Sequence, residues 1–180
     1  MEETNNIREM LNRIARLDAA EAWAGDLNPS QRSALKYLSR ANRFSRSPSH
    51  IAEYLGTTRG TISQTLKSLK GKGYVSETRA TTDKRAITYE LTTKGHAAAT
   101  QGNGLADEIL NLDASESMAL ETALAGVLRG ILDKNNGRPF GVCHTCKHFS
   151  PKVKGGFCSL LSLQLTQDDI RQICHEQVPV

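Results

Sequence analysis

At 180 residues the chain has room for one ordinary domain and a small appendage. With 38% hydrophobic residues it reads as globular, and no apolar run approaches the ~20 residues of a membrane span. The net charge of +4 is unevenly spread: residues 28–100 hold 13 Lys/Arg against 4 Asp/Glu, while the flanks are acidic, so a polyanion partner is expected for the middle only. The start, MEETNNIREM, is polar and acidic and does not read as a secretory signal. That points to the cytoplasm, where clustered thiols more often bind metal or sense redox than form structural disulfides.

Ile7, Met10, Leu11, Ile14 and Leu17 fall at helical spacing and predict a helix with one apolar stripe. Asn28-Pro29-Ser30-Gln31 offers an N-cap, a proline at the first helical position and a glutamine at N3. Ala34, Leu35, Leu38 and Ala41 form the inner face of the helix that follows. Ser47-Pro48 starts a shorter helix with Ile51, Ala52 and Leu55 inward, and Gly56 ends it. Thr57 or Thr58 caps the next helix, whose Ile62, Leu66 and Leu69 face a core. Tyr74 to Glu77 and Ile87 to Leu91 read as strands joined by a polar, basic loop. Thr92 caps a further helix, interrupted at Gln101-Gly102-Asn103-Gly104. Asp113 to Glu116 is a capping box before a long stripe of Leu120, Leu124, Val127, Leu128 and Ile131. Residues 135–139 then form a linker.

Two helices across a Gly-Thr-Thr turn, followed by a hairpin, predict a winged helix-turn-helix. Its second helix would enter a DNA major groove. The outer face of that helix carries Arg59, Gly60, Thr61, Ser63, Gln64 and Lys67. Arg is suited to guanine and Gln to adenine, and Gly60 and Thr61 permit close approach. Lys67, Lys70 and Lys72 are placed for phosphates, and Arg79, Lys84 and Arg85 near the hairpin tip for the minor groove or backbone.

LNPSQRSALKYLSRAN, IAEYLGTTRGTISQTLKSLKGKGYV and TDKRAITYELTTKG resemble, in turn, three parts of the MarR family of winged-helix transcriptional regulators. These are the helix before the reading head, the helix-turn-helix with the first wing strand, and the wing signature. The last maps onto Asp83, Arg85, Leu91, Thr92 and Gly95, and the resemblance spans roughly residues 5–134. It implies a homodimer built from the first and last core helices, a palindromic DNA operator, a lean toward repression, and an Asp83–Arg85 ion pair at the wing tip. Many members hold a small-molecule effector between the dimer and DNA-binding regions; Trp23 and Tyr37 are the candidate lining here. A degenerate core serving as a protein-interaction module is the alternative function. An enzyme is not expected: the chain lacks the zinc-deaminase pattern, a P-loop, HExxH and a nucleophile elbow.

All four cysteines, Cys143, Cys146, Cys158 and Cys174, lie in the last 38 residues, spaced C-x2-C-x11-C-x15-C. A segment of this size needs a staple, and four thiolates supply one. Zinc suits four thiolates. One CxxC with two separated cysteines also suits an iron–sulfur cluster. His144, His148 and His175 lie beside them, either as solvated residues or as substitute ligands. Thr166 to Asp169 is a cap for a short helix carrying Ile170, Ile173 and Cys174 inward. The expectation is a mainly α chain with a small β-hairpin. It divides into a dimerisation helix (1–27), a winged helix-turn-helix (28–95), C-terminal dimerisation helices (96–134), and a linker with a metal module (135–180). The linker implies that this module folds independently of the core.

Overall fold

The computed structural model describes residues 2–21, 25–79, 87–101 and 104–180. Helix α1 (Glu2–Glu21) leads into α2 (Pro29–Arg40), α3 (Pro48–Tyr54) and α4 (Arg59–Gly71). A hairpin of β1 (Val75–Arg79) and β2 (Ile87–Leu91) follows, then α5 (Thr93–Thr100), α6 (Gly104–Leu110) and the long α7 (Ala114–Lys134). The predicted caps are formed. Gln31 N donates to Asn28 Oδ1 at 2.9 Å and Asn28 N to Gln31 Oε1 at 3.1 Å, a reciprocal box at the start of α2. Thr58, rather than Thr57, caps α4 by accepting from Thr61 N at 3.1 Å. Asp113 and Glu116 form a second box at α7.

The core is built from the predicted inner faces. Leu35, Leu38, Ile51, Ile62, Leu66 and Leu69 are fully buried, and Tyr74, Val75 and Tyr89 close it from the wing. The hairpin is antiparallel, with Val75 opposite Leu91 and Arg79 opposite Ile87. A β-carbon on Gly95 would sit 2.0 Å from the Tyr74 carbonyl oxygen. The same oxygen accepts the Thr92 amide at 3.0 Å and the Thr92 hydroxyl at 3.1 Å. The Thr-Thr-Lys-Gly segment thus seats α5 against the root of the wing, and only glycine fits there.

The apolar stripes of α1 and α7 do not enter this core. Ile7, Met10, Leu17, Leu120, Leu124, Val127, Leu128 and Ile131 are all exposed. No helix among the described residues is long and apolar enough to cross a membrane.

The last forty residues depart from expectation in two ways. They contain an antiparallel sheet, in the order β3 (Phe149–Pro151), β4 (Gly156–Cys158), β5 (Leu163–Leu165). Strands of three residues are too short for a period-two pattern to register. The helix expected after Thr166 is a single 3₁₀ turn, Asp169–Arg171. Its cap exists: Asp169 N donates to Thr166 Oγ1 at 3.1 Å, and Thr166 N to Asp169 Oδ2 at 2.9 Å. The helix does not propagate because Ile173 runs alongside Ala41 in a parallel bridge. Ile173 N donates to Arg40 O at 2.7 Å and Asn42 N to Ile173 O at 2.9 Å. Backbone groups that would extend a helix are used to pair with the end of α2.

Nor is this segment independent of the core across its linker. Phe140 and Ile173 belong to the main core. The segment's own small core, with Cys143, Leu165 and Ile170 buried, takes Phe44 from the loop after α2.

Candidate nucleic-acid interface and cysteine cavity

Helix α4 is two-faced. Ile62, Leu66 and Leu69 point into the core, and Arg59, Gly60, Thr61, Ser63, Gln64 and Lys67 are all exposed on the other side. Some of these groups are already engaged. Ser63 Oγ donates to Arg59 O at 2.8 Å, and Thr61 Oγ1 lies 2.8 Å from Thr58 Oγ1 at the cap. Arg59 and Lys67 make no ion pair among the described residues. A β-carbon on Gly60 would meet only Thr58 Oγ1, at an ordinary 3.8 Å. Nothing among the described residues therefore requires glycine there, and the missing side chain leaves the outer surface of α4 low at this point.

Other cations expected at phosphates are partly committed to the fold. Lys70 Nζ and Arg79 Nε each lie 2.9 Å from the Glu77 carboxylate. Lys70, first, and Arg79 hold that carboxyl below the usual range. Lys72 Nζ donates to Gln31 Oε1 at 3.1 Å and to the Asp26 carbonyl, tying the end of α4 to the start of α2. Asp83, Lys84 and Arg85, with the expected wing-tip pair, lie outside the described residues, as does Trp23. Tyr37 is 2% exposed and donates to Ser45 O at 2.7 Å. It is a core residue rather than the wall of an effector pocket.

This order of helices and hairpin is shared with known proteins. Residues 25–86 match the MarR family. Streptococcus pneumoniae FabT, solved in complex with DNA, is 17% identical, with a TM-score of 0.59 over 73% of this chain and 96% of that one. The S. aureus MepR–DNA complex is 20% identical, with a TM-score of 0.57 over 72% and 97%. The reduced form of E. coli MarR is 28% identical, with a TM-score of 0.54 over 69% and 95%. No curated protein matches the chain by sequence. The fold is therefore the MarR winged helix. MarR family transcription regulators are DNA-binding proteins and not enzymes.

Cys143, Cys146, Cys158 and Cys174 lie outside the MarR match, and the fold brings all four to one cavity of about 20 Å³. His148, Phe149, Leu160 and Leu165 complete most of its wall. Cys143 and Cys146 come from a 3₁₀ turn closed by Cys146 N donating to Cys143 O at 3.0 Å, Cys158 from the central strand β4, and Cys174 from the extended stretch beside α2. Burial, followed by the nearby Cys174, Cys146 and Cys158 sulfurs, pushes the Cys143 thiol up to about 12.

The four-thiolate ligand set expected from the spacing is not preformed. Among the described residues no three His, Cys, Asp or Glu side chains are grouped to hold a metal as they stand, and all four cysteines are free. One sulfur is drawn elsewhere: Cys143 Sγ donates to Asp169 O at 3.9 Å. Of the neighbouring histidines only His148 reaches the cavity wall. His144 packs edge-on to Phe149, with ring centroids 5.5 Å apart, and His175 stacks on His50 at 3.4 Å. Burial, then His175, lowers His50 to about 4, leaving it neutral near pH 7.

The sequence reading missed the residues that hold this segment to the winged helix. Asn42 and Ser45 are almost fully buried, Arg43 Nη2 lies 3.4 Å from Asp169 Oδ2, and Arg138 reaches both Glu53 and Glu176. No local pattern marks them, because their partners lie up to 130 positions away.

Proposed function

We propose that the chain is a MarR-type, sequence-specific DNA-binding regulator that acts as a homodimeric repressor on a palindromic operator. The observation that carries this is the outer face of α4. It presents a glycine that no described residue crowds, an exposed amide at Gln64 and the cations Arg59 and Lys67 in one row, inside the segment that matches the family. A major groove admits such a helix and offers its base edges to such side chains. The relatives crystallised with DNA support double-stranded DNA as the partner. The exposed apolar faces of α1 and α7 supply the surface for a second copy, and two-fold symmetry of the dimer then dictates a palindrome.

The second half of the proposal is that the four cysteines are ligands of a metal. Four sulfurs on one cavity with room for a single small occupant fit zinc first. An iron–sulfur cluster on the same sulfurs is the alternative. Selection on a random duplex library, with sedimentation of the protein and its DNA complex, tests the first half. The expected result is an inverted repeat bound by two chains. Recovery of no common sequence would reject sequence-specific reading.

A further inference from the structure

Cys174 is the one cysteine held on both sides by the DNA-reading domain. Before it, Ile173 pairs with Arg40 and Asn42 through two backbone hydrogen bonds of 2.7 and 2.9 Å. After it, the His175 amide donates to Ser45 Oγ at 2.9 Å. The His175 ring lies on the His50 ring of α3, 3.4 Å between centroids and 21° from parallel. Arg43 adds an ion pair to Asp169, the residue whose carbonyl takes the Cys143 thiol.

The segment that receives these contacts, residues 40–47, also positions the reading head. Arg46 O accepts Tyr89 N of the wing at 3.0 Å, and Arg46 Nη1 lies 3.5 Å from Glu90. Ser47 caps α3 by accepting from His50 N at 3.3 Å. Residues 40–47 are thus bonded on one side to the cysteine segment and on the other to the wing and α3. α3 in turn packs on α4.

From this we propose that metal bound at Cys143, Cys146, Cys158 and Cys174 regulates DNA reading through the splice between residues 173–175 and residues 40–47. The proposal rests on the reading of the four cysteines as a metal site. Cys174 lies between the two points at which this stretch is bonded to residues 40–47, so drawing its sulfur to an ion acts on both of them. A ligand that interacts differently with two arrangements shifts the balance between them. Here the two arrangements differ in the segment that carries the wing and α3.

The test uses the full chain, stripped of metal and reloaded with zinc, with a parallel anaerobic arm using ferric iron, sulfide and a thiol reductant. Metal content and affinity for the selected operator are measured in the free and loaded forms. The expected result is one zinc, or one cluster, per chain and an affinity difference of about 5- to 150-fold. His50→Ala, which removes the stacked ring but no sulfur, should keep the metal and lose most of that difference. Hydrogen exchange over residues 41–54 in the unsubstituted protein reads the same coupling without any variant, and should change on loading. Metal bound with equal affinity and unchanged exchange overturns the coupling and leaves a structural site. A full affinity difference in His50→Ala overturns the route. Failure of both arms to bind metal overturns the four-cysteine reading itself.

Discussion

The Ser45 hydroxyl accepts the His175 amide hydrogen at 2.9 Å and lies 3.4 Å from His175 Nδ1. Ser45 is fully buried two residues before the cap of α3, and His175 follows the fourth cysteine. The Ser45 Oγ also bonds the Asn42 side chain at 2.8 Å, so one hydroxyl knits the turn after α2 to the C-terminal segment. A winged helix with its tail bonded into the loop beneath α3 has fewer independent parts than its linker composition suggests.

Gln64 is the clearest candidate for base reading. It is exposed on α4 and its amide has both a donor and an acceptor to present. Gln64→Ala is expected to relax base preference at one position in each half-site, at a cost of ~1–3 kcal/mol for each base-edge pair. Selection on a randomised operator measures this, and an unchanged preference at every position would remove Gln64 from the reading face.

Lysines on and after α4 should not behave alike. Lys67 makes no ion pair among the described residues, whereas Lys70 is paired with Glu77 at 2.9 Å. Lys67→Ala should weaken cognate and random duplexes alike. It should also flatten the salt dependence by about 0.9 for each phosphate that is no longer neutralised. Lys70→Ala should change the slope less, because its charge is already partly balanced by Glu77. Affinities measured across a salt series separate the two, and equal slopes in both variants would contradict this ranking.

Gly60 offers a test in which stability and binding move in opposite directions. Its β-carbon would meet no crowding, so Gly60→Ala should stabilise the helix by ~0.5–1 kcal/mol. If DNA packs against this position, the added methyl should also lower operator affinity by about tenfold, or ~1.4 kcal/mol. Denaturant unfolding and operator titration on the same preparation measure both. A more stable protein with unaltered binding would place the groove elsewhere.

What was readable in the chain follows from the range over which each feature is determined. The caps at Asn28, Thr58, Thr92 and Asp113 need only residues three positions apart, and the face of α4 needs only its own period. The commitment of Lys70 to Glu77 and of Lys72 to Gln31 depends on tertiary placement, so both lysines read as free cations. Thr166 and Asp169 make the predicted cap, yet the helix stops because Ile173 is claimed by Arg40 and Asn42. The cysteine spacing implied one shared site. It did not show that Cys143 would turn its thiol toward the Asp169 carbonyl, or that the backbone on both sides of Cys174 would be bonded to residues 40–45.

The outward stripe on α7 sets the oligomer prediction. Leu124 and Leu128 are one turn apart and are 40% and 55% exposed. Replacing both by glutamate leaves the winged-helix core untouched and puts two charges where a partner's apolar surface would be desolvated. Leu124→Glu with Leu128→Glu should yield monomers by sedimentation and abolish tight binding to a two-half-site operator. A stable dimer in the double variant would exclude this face of α7 from the interface.

Phe140 decides whether the cysteine segment is an appendage or part of the core. Its ring is 8% exposed and meets Tyr54 edge-on at 5.4 Å and Tyr37 at 6.4 Å. Both tyrosines belong to the helices beneath the reading head. An independent module would lose only its own folding when Phe140 is truncated. A ring shared with the core should instead destabilise the winged helix, because the cavity left by Phe140→Ala opens against Tyr37 and Tyr54. The expected loss is ~3–5 kcal/mol, which for a chain of this length lowers Tm by roughly 10 °C. The measurement is thermal unfolding followed at two places, by hydrogen exchange at α2 and at β4, in the parent and in Phe140→Ala. A single transition that shifts at both places is the expected outcome. A shift confined to β4, with α2 melting as in the parent, would restore the independent module.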